Sequence, residues 1–479
     1  MTNINLNNLI KNDHDVRVTE LEKLSKSDLI KIIVYQTHTI VKLENQIKLL
    51  QQEINSLKRD SSNSSKPPSS DINNIGLKNK SLREKSNRKS GGQKGHLGNT
   101  RKQVDNPDKI VDCRPDNCSH CGHSIPENIE GTILSKRQEI DIPPIQVEVT
   151  EYRKQSVICP HCAKKTSGEY PESINSQVQF GPNIKSFVTY LNVKHKIPYD
   201  RLRKIFNHML NTQISEGSIK NILHQCKQKS ELLYHQILIG VKKEEWAGSD
   251  ETGTHVNGQK WWQWVWQNTQ GTFYCIHQSR GYQVVKDYFG SNYMGILIHD
   301  CWSAQNNTIA KNGHQLCHPH LIRNLNYLIE TYRSSWCFGI KELLMTSQSA
   351  RDRIWDNDFN PNIRNKVIVY YKEQLQYFLN QKLSEHKEIA AIQKRFRKHQ
   401  DKIFHFLNYK NVPYHNNSSE QAIRNAKIHK KVSGGFRSKT GAESHAVILS
   451  IIETCKKRNL NILNSLKQIF QGNFSWSGT

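Results

Sequence analysis

The chain has 479 residues, with 68 Lys and Arg against 43 Asp and Glu, a formal charge of +25 and a pI of about 9.5. That length exceeds one compact domain, and the cationic excess points to a polyanionic partner, nucleic acid ahead of a membrane surface. No stretch approaches the roughly 18 apolar residues of a membrane span, no signal-peptide pattern opens the chain, and 11 Cys without a secretory signal read as reduced thiols and metal ligands in a cytosolic protein.

Residues 1–60 read as a helical, leucine-zipper-like region. From Ile33 to Leu57, Ile40, Ile47 and Ile54 repeat at one heptad position and Leu43, Leu50 and Leu57 at the other. Ile at the first and Leu at the second favours a parallel two-stranded coil, so a homodimer or higher homo-oligomer is expected, with Glu44 and Glu53 flanking the seam. A basic linker follows over 61–110. Its run Ser61-Ser62-Asn63-Ser64-Ser65-Lys66-Pro67-Pro68 cannot bury a core. Between Lys78 and Lys102 stand nine Lys or Arg and one acid, Glu84, around Gly91-Gly92-Gln93-Lys94-Gly95-His96. Such a tether is either a solvated linker or a sequence-blind phosphate contact through side chains such as Lys94.

Residues 111–172 carry two CxxC knuckles, Cys118 with Cys121 and Cys159 with Cys162. Four thiolates suit a closed tetrahedral site, so one structural Zn²⁺ in a zinc ribbon is expected, with no chemistry at the metal. Ile140–Ile142 and Val147–Thr150 alternate as its strands would, and Cys113 stays outside the set. Over 175–240 the period turns helical. Leu202, Ile205, Phe206, Met209 and Leu210 share one face, and Ser215 reads as the N-cap of a second helix bearing Ile219, Ile222 and Leu223. This pattern fits either a helix-turn-helix, with Lys220, Asn221 and His224 reaching bases, or any small helical domain.

Residues 241–475 hold the chemistry. Strands are expected up to Asp250, over Lys260–Trp266 and over Thr272–His277, then a helix from Tyr282 to Phe289 and a buried strand delivering Asp300. Trp262, Trp264 and Trp266 on one face read as core. This is the order of a ribonuclease-H-like α/β core. A helical insertion at about 331–410 separates Asp300 from Glu420, which opens a helix rich in cations: Arg424, Lys427, Lys430, then Arg437 and Lys439. Asp250, Asp300 and Glu420 converging at one sheet edge is what two Mg²⁺ ions require, since hard cations take oxygen ligands, with Mn²⁺ an alternative. Glu443 is the rival third acid. The expected whole is multidomain α+β: coiled coil, zinc ribbon, helical DNA-binding domain, and a catalytic core with its insertion.

These residues together resemble the transposases of insertion sequence family 66, of the DDE superfamily, over nearly the full length. The heptads running into Asn63–Asp71, the Gly91–His96 box, the paired knuckles, Asp250-Glu251-Thr252, Asp300, Asn416-Asn417 with Glu420, Cys317-x-x-His320-x-x-Arg323 and Gly434-Gly435-Phe436-Arg437 carry the resemblance. It implies a bacterial, nucleoid-associated cytoplasmic enzyme. Asp250, Asp300 and Glu420 would hold two Mg²⁺, cleave transposon-end DNA and join the 3′ hydroxyl to target DNA, with accessory proteins as possible partners. His320 is implied either beside the scissile phosphate or in packing; Lys94, Lys220, Arg323, Arg424, Lys427, Lys430 and Arg437 are the expected DNA contacts. Gln421 stands where the family usually has Arg, a contact that Arg424, one turn on, can replace. Two other readings keep part of this pattern: a zinc-ribbon regulator with structural acids, and a hydrolytic nuclease that never joins strands.

Overall fold

The computed structural model describes residues 25–57, 95, 101–142, 145–290, 292–356, 360–383 and 386–476. Lys26–Leu57 is one helix of 32 residues (α1), along which Ile40, Leu43, Ile47, Leu50 and Ile54 are exposed. The basic tether, Lys94 included, lies outside the described residues apart from Gly95, Arg101 and Lys102.

Both knuckles are turns of one build. Cys118 N–H donates to His123 O and Gly122 N–H to Cys118 O; Cys159 N–H donates to Lys164 O and Ala163 N–H to Cys159 O. Gly122 and Ala163 take the same left-handed conformation, at φ 72° and 57°. The second knuckle joins a short antiparallel pair, β1 (Ser156–Ile158) and β2 (Lys165–Ser167). The strands expected at Ile140–Ile142 and Val147–Thr150 do not form; those residues are irregular, with Ile140, Ile142 and Val149 exposed. Alternation becomes sheet only where a neighbouring strand supplies the ladder, and these residues pair with none of the described strands.

Three helices lead into the main sheet: α2 (Pro182–Thr189, continued by a π-turn to Lys194), α3 (Tyr199–Leu210) and α4 (Glu216–Lys243). Asn211 ends α3 in the left-handed region, and the Ser215 hydroxyl caps α4 by accepting Ser218 N–H at 3.0 Å. The second helix, capped at Ser215 as the sequence indicates, is α4, and it runs for 28 residues, well past Leu223. Its apolar period continues through Leu233, Tyr234, Ile237 and Val241, which join the same core as Trp264, Trp266 and Phe273 of the sheet.

That sheet comprises β3 (Trp246–Val256), β4 (Gln259–Gln267), β5 (Thr272–His277), β6 (Ile296–His299) and β7 (His314–Leu316), in the order β5-β4-β3-β6-β7. The first three form an antiparallel meander; β6 runs parallel to β3, and β7 parallel to β6. Asn257 and Gly258, both at positive φ, make the two-residue turn between β3 and β4. Between β5 and β6 lies α5 (Tyr282–Val284, extended by a π-turn to Phe289), and α6 (Ser303–Asn306) follows β6. The Trp residues of β4 are core, as expected: Trp264 and Trp266 stack at 5.7 Å and are fully buried.

After β7 come α7 (His318–Tyr332), the insertion helices α8 (Ser335–Asp356), α9 (Pro361–Asn380) and α10 (Lys387–Lys398), then α11 (Asn417–Ser433), α12 (Lys439–Lys457) and α13 (Ile462–Gln471). Trp246, Ile296, Ile298 and Leu316 pack into a second core with the insertion. α12 closes the β5 edge: the Thr454 and Ser450 hydroxyls accept the N–H groups of Thr272 and Tyr274 at 3.1 and 2.9 Å, so this edge is not left open to pairing. None of the described helices is long and apolar enough to cross a membrane.

Candidate active site

β3 and β6 pair only over Trp246–Gly248 against Ile296–Ile298. Asp250 stands just past that short ladder, and Asp300 directly follows β6. Asp250 does not end its strand, as expected from sequence, because β3 continues to Val256; it ends only the parallel part. The first turn of α11 then lies on β3 and brings in Glu420. Asn416 Nδ2 donates to Ser249 O at 2.7 Å, and Gln267 Nε2 donates to Ser419 Oγ at 3.1 Å. Gly248 makes this contact possible: a Cβ there would meet Ser419 Oγ at 2.4 Å and Asn416 Oδ1 at 2.7 Å.

The acids are electrostatic neighbours. Burial pushes the Asp250 carboxyl well above the carboxylate range, and the charges of Asp300, Glu251 and Glu420 push it the same way. Such crowding of like charge is relieved by protonation or by a cation. Oxygen donors with this repulsion fit hard divalent ions.

Around the acids the structure assembles parts that sequence reasoning missed. Glu251, next to Asp250, is buried, and its carboxylate accepts from Arg280 Nε and Nη2 at 2.9 and 2.7 Å and from Gln305 Nε2 at 2.5 Å. The Arg280 guanidinium lies over the rings of Trp262 and Trp302, 4.6 and 3.5 Å from their centroids. Burial foremost, with the charge of Asp300, raises the Glu251 carboxyl to about 7, against the pull of Arg280. One cluster thus ties the neighbour of Asp250 to the loop after Asp300. In that loop Cys301 sits at φ 74°, a conformation uncommon for a residue with a side chain. Its N–H donates to His299 Nδ1 at 3.0 Å; His299 Nε2 meets His314 Nδ1 at 3.1 Å and His314 Nε2 meets Thr308 O at 3.0 Å. Since His299 Nδ1 accepts, each ring must donate from Nε2, and burial holds both imidazoles neutral. From the insertion, Arg395 Nη2 donates to Asp300 O at 3.4 Å.

His320, in the first turn of α7, has Nδ1 3.6 Å from Glu420 Oε1. Burial depresses the imidazole against the opposing pull of Asp300 and Glu420. Among the described residues, Cys317, His320 and Glu420 form a group whose ligand atoms all lie within 4.8 Å of one another. The four knuckle thiols are not gathered in this way. Within each knuckle, however, main-chain N–H groups of Cys121 and His120 lower the Cys118 thiol, and those of Cys162 and His161 lower Cys159.

The cations expected on DNA spread over several elements. Arg424 on α11 is exposed, Lys427 and Lys430 are half-buried, Arg323 is half-buried one turn beyond His320, and Lys220 is exposed on α4. At 100° per residue, Glu420, Arg424, Lys427 and Lys431 form one stripe down α11. Gln421 is exposed beside it. Arg437 lines a groove of about 730 Å³ with Asn257, Lys439 and Glu443. Glu443, 3.9 Å from Lys439, therefore belongs to the hairpin end of β3 and not to Asp250.

The family described as Transposase IS66 family matches residues 177–444, over half of the chain, and the chain belongs to it. A family of unknown function, DUF6444, matches residues 6–102. The chain is also similar to the uncharacterized protein y4jO of Sinorhizobium fredii (strain NBRC 101917 / NGR234), 27% identical over 81 residues, which is 17% of this chain and 25% of that protein. The chain thus spans about a quarter of that relative's length.

Proposed function

We propose that the protein cleaves transposon ends and joins the freed 3′ hydroxyl to target DNA, using Asp250, Asp300 and Glu420 as ligands for two Mg²⁺ ions in a ribonuclease-H-like core. One observation carries this reading: carboxylates from β3, from the loop after β6 and from α11 crowd together beside a mixed sheet of order β5-β4-β3-β6-β7. Membership of the IS66 transposase family supports transposition; the carboxylate cluster supports the metal mechanism and the residue roles.

A metal pair in this site supplies Lewis acidity at the attacking and leaving oxygens of an in-line displacement. The chain does the rest by placement. Asn416 and Gly248 seat α11 on β3 so that Glu420 faces Asp250. Arg280 fixes Glu251 and, through Trp302, the loop that carries Asp300. Arg395 and Arg323 place positive charge near His320, where a phosphate would sit. The α11 stripe and Arg437 continue that charge along the DNA, giving binding that weakens with salt.

Supporting modules complete the proposal. Cys118, Cys121, Cys159 and Cys162 would hold one structural Zn²⁺; thiols already lowered by main-chain N–H groups favour it. The exposed Ile and Leu seam of α1 supports a parallel homodimer. The setting is the bacterial cytoplasm.

The test is incubation of the purified chain with labelled end DNA, target DNA and Mg²⁺. Cleaved ends with free 3′ hydroxyls that become joined to target support the proposal. Nicks that never join would indicate a hydrolytic nuclease, and binding without nicking a regulator.

A further inference from the structure

Mg²⁺ does not account for every donor beside Glu420. Cys317 and His320 offer sulfur and imidazole nitrogen, softer donors than Mg²⁺ takes and those that Zn²⁺ prefers. Their ligand atoms and the Glu420 oxygen lie within 4.8 Å of one another. His320 Nδ1 and Glu420 Oε1 are both buried without a hydrogen-bond partner, although they face each other at 3.6 Å. Buried polar atoms are rarely left unsatisfied, and 3.6 Å is too long for a hydrogen bond. Two ligand atoms bound tetrahedrally at about 2.0–2.1 Å from zinc lie about 3.3–3.4 Å apart, so a few tenths of an ångström would close this pair onto one ion. The sulfur is held as well: Asn416 N–H donates to Cys317 Sγ at 3.2 Å, the type of outer contact that orients a ligand thiolate.

We propose that Cys317, His320 and Glu420 bind one thiophilic divalent cation of the Zn²⁺ class, leaving a fourth position open to water or an anionic oxygen. Binding forms the metal–sulfur bond as the Cys317 thiol releases its proton to solvent. The three donors stand on the first turns of α7 and α11 and at the end of β7, elements packed within the protein's two cores. Because Glu420 is also in the catalytic set proposed above, such a cation and the Mg²⁺ pair would contend for one carboxylate; that consequence alone rests on the transposition reading.

Co²⁺ is the probe, since it reports thiolate ligation by a charge-transfer absorption that all-oxygen sites lack. The full chain, stripped with chelator, is titrated with Co²⁺ as wild type, Cys317→Ser and His320→Gln, with circular dichroism confirming the fold. Wild type should bind one equivalent more than each folded variant, and its extra thiolate absorption should be absent from Cys317→Ser. Equal stoichiometry and equal absorption in wild type and variants overturn the site. If Cys317→Ser does not fold, His320→Gln decides by the same one-equivalent difference. Cobalt binding without DNA cleavage would leave this site standing and sink the transposition reading; cleavage with no cobalt difference would do the reverse.

Discussion

Gly248→Ala should disable the protein while touching no ionisable group. The new Cβ would lie 2.4 Å from Ser419 Oγ, 2.7 Å from Asn416 Oδ1 and 2.9 Å from Gln267 Nε2, where ordinary contact begins at 3.4 Å. Relief of the worst contact needs a displacement of 3.4 − 2.4 = 1.0 Å between β3 and the first turn of α11. The Asn416 and Gln267 hydrogen bonds oppose it, and overpacking of this kind costs about 1–3 kcal/mol of stability. Glu420 rides on the displaced turn, and a misplacement of about 1 Å in a reacting constellation costs on the order of a hundredfold in rate. Thermal melting and single-turnover nicking of labelled end DNA measure the two effects. Gly240→Ala is the control: a Cβ there, in the last turn of α4, meets nothing within 4 Å, so it should stabilise by up to about 0.5–1 kcal/mol. A Gly248→Ala protein that melts and cuts like wild type would refute the claim that close approach of α11 sets the position of Glu420.

Glu420→Gln should lower the nicking rate on the order of a thousandfold at saturating Mg²⁺, whereas Glu443→Gln, placed beside Lys439, should cut near the wild-type rate; the reverse ranking would move the third ligand. Asp250→Asn should raise the melting temperature in chelator. The folded carboxyl is raised above its unfolded value, so ionisation penalises the fold only as pH climbs above the ordinary carboxylate value of about 4. The advantage of the variant should therefore grow from pH 5 to pH 8 and shrink when Mg²⁺ is added; an advantage independent of pH would show that the crowding has no energetic weight. Arg280→Met strands Glu251 without its guanidinium and should cost about 3–5 kcal/mol, with Glu251→Gln recovering part of the loss in the double variant, read by chemical denaturation.

The skeleton of the core was legible because strand and helix periods are local. The Ile-rich run before Asp300, the Trp alternation of β4 and the Ser215 cap each declare themselves within a few residues. The extension of β3 beyond Asp250 was not, because Thr252 and Thr254 look like the polar end of a strand yet are buried. Isolated alternation misled at Ile140–Ile142 and Val147–Thr150, where none of the described strands completes a ladder. The support of the site was hidden for a different reason: it consists of contacts between distant positions. Asn416 reaches Ser249 across 167 residues, Arg395 reaches Asp300 across 95, and Arg280 reaches Glu251 across 29. Nothing in the neighbourhood of Gly248 announces that a helix from far downstream will press on it.

The late arrival of α11 also sets an order of events during synthesis. Glu420 follows Asp300 by 420 − 300 = 120 positions, which at about 5–20 residues per second takes about 6–24 seconds. In that interval β3, β4, β5, β6 and β7 can already pair, but the growing chain holds Asp250 and Asp300 without Glu420, lacks α11 and α12, and has an unguarded β5 edge. α12, which supplies Ser450 and Thr454 to that edge, emerges later still. A nascent or prematurely ended chain therefore lacks Glu420 and is open to pairing with a neighbouring strand, and both conditions end together when the last helices dock.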